Sequence, residues 1–137
     1  MTIFSFVTVC IMKMNKPGTT GVKRIINASK YSMSGLHDCW TNEPAFRQDF
    51  MLGFALVCSS VIMGFGFWGI VSTLVSGILL VAAEAVNTAI EAVVDRTGSH
   101  KDELGRMAKD VGSSIVFLVM ISVLIVFAAN CYCHFFK

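Results

Sequence analysis

Two long uncharged stretches dominate the pattern of hydrophobic and polar positions along the chain. Residues 50–83 and residues 111–133 contain no Asp, Glu, Lys, Arg or His. Because a helix needs roughly 20 apolar residues to cross a bilayer core, the first stretch is long enough for two spans and the second for one. Glycines and aromatic residues fill positions 64–69, which is typical of a reversal at a membrane interface. The pattern therefore predicts an all-α membrane protein with transmembrane helices at about 46–64, 68–84 and 111–133, the second continuing as helix to about 96.

A basic amphipathic segment precedes the spans. Over residues 20–36 the apolar positions recur at helical spacing, and Lys, Arg, Asn and Ser occupy the other side. Next to membrane spans, such a helix is typical of one that lies in the plane of the interface. Residues 37–44 then predict a turn and a new helix start, with Glu43 near the N-cap position and Pro44 at N1.

The remaining N-terminal residues, 1–19, are predicted to be an extension, and residues 20–137 a single domain, since 137 residues leave room for one. A polar stretch that begins at Met14 is typical of a natural N-terminus. We therefore expect translation to start at Met12 or Met14, and a short hydrophobic extension lying on the membrane is the alternative.

The positions of the basic residues predict the orientation. Lys and Arg precede the first span and lie between the second and third, whereas the loop at 64–69 has none. The positive-inside rule then places the N-terminus and residues 84–110 in the cytoplasm and the C-terminus outside. A net charge of +2 is too small to favour nucleic acid as a partner.

Polar side chains form a stripe where the second predicted span meets water. Glu84, Asn87, Glu91 and Asp95 recur every three or four residues and so share one face of a helix, while the residues between them are almost all apolar. Carboxylates beside a membrane are too unfavourable to be packing residues. The stripe predicts a functional site, with Glu84 at the membrane edge and Glu91 roughly 10 Å further into the cytoplasm.

The chemistry that these residues permit is phosphoryl transfer. Clustered carboxylates favour a divalent metal, and Arg24, Arg106 and Lys109 could neutralise phosphates. The chain has neither a P-loop nor the protein-kinase signature set. A Cys and His cluster at 131–134 offers three potential metal ligands but no second group of ligands, so we interpret it as chance. These residues alone leave an enzyme and an ion-handling protein equally open.

Five segments of the sequence resemble the bacterial integral-membrane diacylglycerol kinases. They are Gly21-x-x-Arg24-Ile-Ile, Tyr31-Ser-x-x-Gly35-Leu, Trp40-x-Asn42-Glu43-x-Ala45-Phe46-Arg47-Gln48, Glu84-x-x-Asn87-x-Ala-Ile-Glu91-Ala-Val-Val-Asp95-Arg96-x-Gly98-Ser99, and Ala108-Lys109-Asp110-x-Gly112-Ser113. The resemblance covers residues 20–114 without a gap. The chain departs from the family in its uncharged loop at 64–69 and in Asp49, which stands where a Glu is usual.

This resemblance implies a homotrimer in the bacterial inner membrane, with a surface helix, three spans, and sites shared between neighbouring subunits. It implies transfer of the γ-phosphoryl group of MgATP to diacylglycerol, giving phosphatidic acid. Glu84 is implied as the catalytic base, Asn87 as the residue that orients its neighbours, and Glu43 and Glu91 as ligands of Mg²⁺. Nucleotide contacts are implied for Arg24, Tyr31, His100, Lys101, Asp102, Lys109 and Asp110, and lipid contacts for Arg24, Glu84 and Ser113.

Two other functions remain open from the sequence. The same chemistry could act on undecaprenol, although the segment from Trp40 to Gln48 resembles the diacylglycerol-using branch more closely. A small non-enzymatic channel or assembly subunit is the second alternative. Single residues have simpler interpretations too: Glu43 as a helix cap, Tyr31 as an interfacial anchor, and Asp95 as an ion-pair partner of Arg96 or Lys109.

Overall fold

The structure is a computed structural model that describes residues 21–96 and 102–136, almost entirely as helix and without a strand in these ranges. Its helices are α1 (Val22–Asn42), α2 (Pro44–Ile62), α3 (Phe67–Arg96) and α4 (Glu103–Phe136). The chain divides into two compact units, one ending at Gly35 and one beginning at Leu36. The all-α prediction is confirmed. The predicted N-terminal extension and its start at Met12 or Met14 lie outside the described residues.

Helix α1 continues through the turn that was predicted at 37–42. Thr41 Oγ1 donates to the His37 carbonyl at 2.8 Å, and Asn42 Nδ2 donates to the Asp38 carbonyl at 2.9 Å. Polar side chains that usually favour turns are thus satisfied along the helix, because each bonds to a carbonyl one turn earlier. The helix therefore ends later than its apolar spacing indicated.

The joint between α1 and α2 is a single residue, Glu43, in extended conformation (φ −109°, ψ 108°) with Pro44 as the first helical residue. The Glu43 carboxylate makes no capping hydrogen bond there. Instead, the Arg47 guanidinium donates to the carbonyls of Trp40 (2.7 Å) and Thr41 (3.3 Å). Arg47 thereby satisfies the end of α1 from the first turn of α2. Glu43 keeps its carboxylate available for another partner.

Helices α2, α3 and α4 are each long and apolar enough to cross a membrane, which confirms the three predicted spans. Between α2 and α3 the chain reverses over residues 63–66. Gly64 adopts φ +75° in this turn, a left-handed conformation that side-chain-bearing residues rarely adopt. Helix α3 then begins at Phe67 and runs without interruption through the acidic stripe to Arg96.

Helix α3 packs against both α2 and α4. Its contact with α2 centres on two glycines: a Cβ added at Gly77 would lie 3.3 Å from Gly53 Cα, and the reverse holds at Gly53. Apolar helices gain little from hydrophobic association inside lipid, so close approach of small residues is a common basis for their packing. The pair sets the spacing of α2 and α3.

The contact between α3 and α4 is polar at the end remote from the acidic stripe. Asn130 Nδ2 lies within hydrogen-bond distance of the Gly69 carbonyl (3.2 Å), Ser72 Oγ (2.9 Å) and Thr73 Oγ1 (3.3 Å). In an apolar environment these polar groups have few other partners, so the cluster favours one alignment of the two helices.

Replacing Gly77 by Leu is expected to destabilise the bundle by about 1–3 kcal/mol, because the new side chain meets the α2 backbone at Gly53. The measurement is reversible unfolding of the purified protein in mixed micelles. Ala82→Leu, on an exposed position of the same helix, is the control and should change stability little. Equal losses in both variants would show that the glycine contact does not limit packing.

Candidate active site

The acidic stripe runs from a buried to an exposed environment along α3. Glu84 is 5% exposed and Asn87 is 8% exposed. Glu91 is partly buried, and Asp95 is exposed. A carboxylate and an amide therefore lie inside the bundle, while the later acids face outward. This is the arrangement expected of a site that joins an apolar region to water.

Three further carboxylates act on Glu84. The charges of Asp49, Glu91 and Glu43 all repel a negative charge on it. Like charges gathered around a buried acid are unfavourable unless a cation or a proton joins them. Within one chain, the predicted base Glu84 is therefore near enough to Glu43 and Glu91, the predicted metal ligands, for their charges to act on it. The sequence placed Asp49 only at the start of a span, where it is the sixth residue of α2.

Asn87 connects the buried and exposed parts of the stripe. Its Nδ2 donates to Glu91 Oε1 at 3.2 Å. Its Oδ1 is buried and has no hydrogen-bond partner among the described residues. The amide therefore orients one carboxylate while a second polar atom stays unsatisfied, a combination that is uncommon away from functional sites.

Helix α4 brings one cation to the stripe. Lys109 Nζ lies 2.6 Å from Asp95 Oδ1, and its charge also acts on Glu91. Asp95 thus has the ion-pair role that was one of its two interpretations, with Lys109 rather than Arg96 as the partner. The pair is partly open to solvent, so Lys109 could exchange Asp95 for an anionic ligand at little energetic expense.

Other residues predicted to bind nucleotide have local partners. Asp110 forms an ion pair with Arg106 one turn away on α4. Asp102 Oδ1 accepts from the backbone N–H groups of Leu104 and Gly105, so it caps the start of α4. Both carboxylates are exposed and remain accessible to a ligand.

The remaining predicted contacts are spread over the surface. Ser113 is exposed on α4, and Arg24 and Tyr31 are exposed on α1. His100 and Lys101 lie outside the described residues. The roles of these residues in binding nucleotide or lipid stay predictions.

The donor set fits a nucleotide-bound Mg²⁺. Within residues 21–96 and 102–136, no three His, Cys, Asp or Glu side chains converge as a ligand set. Mg²⁺ is usually held by one or two carboxylates and completed by water and substrate phosphates. Glu91, oriented by Asn87, and Glu43, free of any capping role, supply that kind of donor.

Cys39 lies near the joint between α1 and α2. Partial burial raises the pKa of its thiol, and the carboxylates of Glu43 and Asp38 raise it further. A thiol with a raised pKa is largely protonated at neutral pH and is a poor nucleophile. Covalent catalysis through Cys39 is therefore disfavoured.

An apolar cavity of about 360 Å³ lies beside the packed glycines of α2 and α3. Aliphatic, aromatic and glycine residues line it, among them Phe50, Phe54 and Ile78. The lining ends at Ala85, the neighbour of Glu84. Its chemistry suits a hydrocarbon chain and offers no polar partner.

Comparison with known proteins identifies the family of the chain. The profile of the family described as prokaryotic diacylglycerol kinase matches residues 30–130. The chain is 42% identical over 123 residues to a diacylglycerol kinase of Escherichia coli strain K12. This match covers 85% of the present chain and 96% of the E. coli protein. The chain is 39% identical to the Haemophilus influenzae diacylglycerol kinase, covering 74% and 86%, and 32% identical to that of Pseudomonas aeruginosa, covering 81% and 90%. The chain belongs to the prokaryotic diacylglycerol kinase family.

Proposed function

We propose that this membrane-embedded lipid kinase transfers the γ-phosphoryl group of ATP to the hydroxyl of diacylglycerol, giving phosphatidic acid. The observation that carries the proposal is the buried Glu84 carboxylate beside the hydrogen-bonded pair of Asn87 and Glu91. The similar proteins named diacylglycerol kinase support the choice of lipid. Membrane localisation follows from the three apolar helices together with the family.

Glu84 is the proposed catalytic base. A lipid hydroxyl has a pKa far above 7, so its proton needs an acceptor as the new P–O bond forms. The proton passes to the Glu84 carboxylate, the hydroxyl oxygen bonds to the γ-phosphorus, and the bond to the β–γ bridging oxygen breaks to release ADP. Burial of Glu84 keeps water away from this acceptor.

The nucleotide is proposed to lie along the outer half of the stripe. Glu43 and Glu91 would hold Mg²⁺, and Asn87 would fix the orientation of Glu91. When bound, the metal neutralises charge that develops on the phosphates. Lys109 would contact phosphate oxygens as it does the Asp95 carboxylate. The other proposed nucleotide contacts are Arg24, Tyr31, His100, Lys101, Asp102 and Asp110.

The lipid is proposed to approach from the apolar side. Its hydrocarbon chain would occupy the cavity between α2 and α3, which ends beside Glu84. Arg24 and Ser113 would border the polar part of the lipid. The hydroxyl would then meet the base at the membrane edge, where the apolar stretch of α3 gives way to acids.

We further expect a homotrimer in the bacterial inner membrane, with the N-terminus cytoplasmic and the C-terminus periplasmic. The distribution of Lys and Arg supports the orientation. The family resemblance supports the trimer. Because Glu43 and Glu84 of one chain already interact, a neighbouring subunit is expected to contribute other groups rather than either of these acids.

The function is tested with purified protein in mixed micelles containing MgATP and either diacylglycerol or undecaprenol. We expect phosphatidic acid from the first lipid and little product from the second. Glu84→Gln should fold and bind nucleotide but lose roughly 10²–10⁴-fold in turnover, because the amide accepts no proton. Glu103→Gln, the same change at an exposed acid on α4, is the matched control. Preferential phosphorylation of undecaprenol would reassign the substrate, and near-normal turnover of Glu84→Gln would remove Glu84 from the mechanism.

If Glu43 and Glu91 hold the metal, replacing either one should change the Mg²⁺ and the ATP requirement together. Glu43→Gln and Glu91→Gln should each raise the concentrations of Mg²⁺ and of ATP needed for half-maximal rate, because both carboxylates would hold the metal that accompanies the nucleotide. Rates measured over a grid of the two concentrations give this result. If Glu43→Gln lowered thermal stability alone and left both requirements unchanged, the role of Glu43 would be structural and not that of a metal ligand.

Mixed oligomers test which chain supplies each acid. Chains carrying Glu84→Gln are co-assembled with chains carrying Glu43→Gln, and kinase activity is compared with that of each parent. We expect no rescue, since every chain then has a defect in its own site. Mixtures of either variant with wild-type chains serve as the control. Recovered activity, in oligomers shown to contain both variants, would place the Glu43 and Glu84 of one site on neighbouring subunits.

A further inference from the structure

Gly112 on α4 lies directly against the Asn87 amide. It is buried. A Cβ added at this position would lie 2.5 Å from Asn87 Oδ1 and 3.5 Å from Ile90 Cδ1. The first distance is shorter than any that a carbon and an amide oxygen tolerate, so a side chain at 112 would displace the amide.

The amide has little freedom to move aside. Nδ2 is directed at Glu91 Oε1 at 3.2 Å, so Oδ1, on the other side of the planar group, must point elsewhere. It points toward α4, where it is buried and has no hydrogen-bond partner among the described residues. Rotating Asn87 to relieve a contact with residue 112 would break the bond to Glu91.

A second glycine shows that this contact is specific. Gly105 lies two turns earlier on α4, and a Cβ there would meet Val94 Cγ1 of α3 at 3.1 Å. That neighbour is one methyl group of Val94, whereas the neighbour at 112 is the oxygen of an amide that donates to Glu91. Both glycines allow α4 to approach α3, but one of them faces a side chain of the proposed site.

We propose that Gly112 is a positioning residue that acts through Asn87: its missing side chain leaves the space that the Asn87 amide occupies while it holds Glu91. The expected effect on kinase activity rests on the proposed function. The steric coupling of residues 87 and 112 does not depend on that function. Neither composition nor spacing assigns Gly112 this role, because the contact exists only between two helices.

The test is a double-mutant cycle of Gly112→Ala and Asn87→Ala, with Gly105→Ala as the matched control. The first readout is the folded-to-unfolded ratio in micelles without metal or nucleotide. We expect Gly112→Ala to lower the ratio in the wild-type background by about tenfold. In the Asn87→Ala background, Gly112→Ala should leave the folded-to-unfolded ratio unchanged or raise it a few-fold. The amide that the new methyl group would displace is then absent, and Ala is favoured over Gly within a helix.

The second readout is kinase activity over a range of Mg²⁺ concentrations. Gly112→Ala should lower kcat/KM at least tenfold and raise the Mg²⁺ requirement, since Glu91 loses its orientation. Gly105→Ala should stay within about twofold of wild type in both quantities.

Each outcome has a separate meaning. Equal effects of Gly112→Ala in the two backgrounds, or reduced activity with an unchanged Mg²⁺ requirement, would overturn the positioning role. Absence of lipid kinase activity in the wild-type protein would overturn the proposed function. The steric coupling between residues 87 and 112 would still be tested by the unfolding cycle, which does not depend on activity.

Discussion

The burial of the Glu84 carboxylate in an otherwise apolar helix is the constraint on which the rest of the site depends. Removing a carboxylate from water is strongly unfavourable unless charge or a proton compensates it. Here the nearby groups include three more acids, Asp49, Glu91 and Glu43. A bundle that gathers these groups gains nothing in stability from them. The cluster is best understood through the cation and the proton that phosphoryl transfer would bring to it.

The scaffold that holds these acids relies on close backbone contact and a few polar bonds. Gly53 and Gly77 set the separation of α2 and α3, and Asn130 aligns α4 with α3 at the remote end. Helices in lipid gain little from hydrophobic burial, so contacts of this kind carry much of the specificity. Few large side chains are fully buried within the described bundle. Precise placement of small groups therefore matters more here than the volume of the core.

Two residues outside the group of acids, Arg47 and Gly112, help to position it. Arg47 closes the end of α1 and so defines the single-residue joint that carries Glu43. Gly112 leaves the space into which Asn87 directs its oxygen. Arg47 acts on the backbone that carries Glu43, and Gly112 acts because it has no side chain to displace Asn87.

The sequence alone determined the all-α class, the three spans and the acidic stripe, because uncharged length and helical spacing are local properties of the chain. It could not show that α1 runs on to Asn42, since Thr41 and Asn42 favour turns as readily as they bond back into a helix. It also could not show that the charge of Asp49 acts on Glu84, or that Gly112 lies against Asn87. Those pairs come from different helices, and their separation is set by how closely the helices pack. The local pattern of the sequence therefore indicated which residues are candidates for a site, whereas only the tertiary structure decided which of them lie close together, because that depends on how the helices pack.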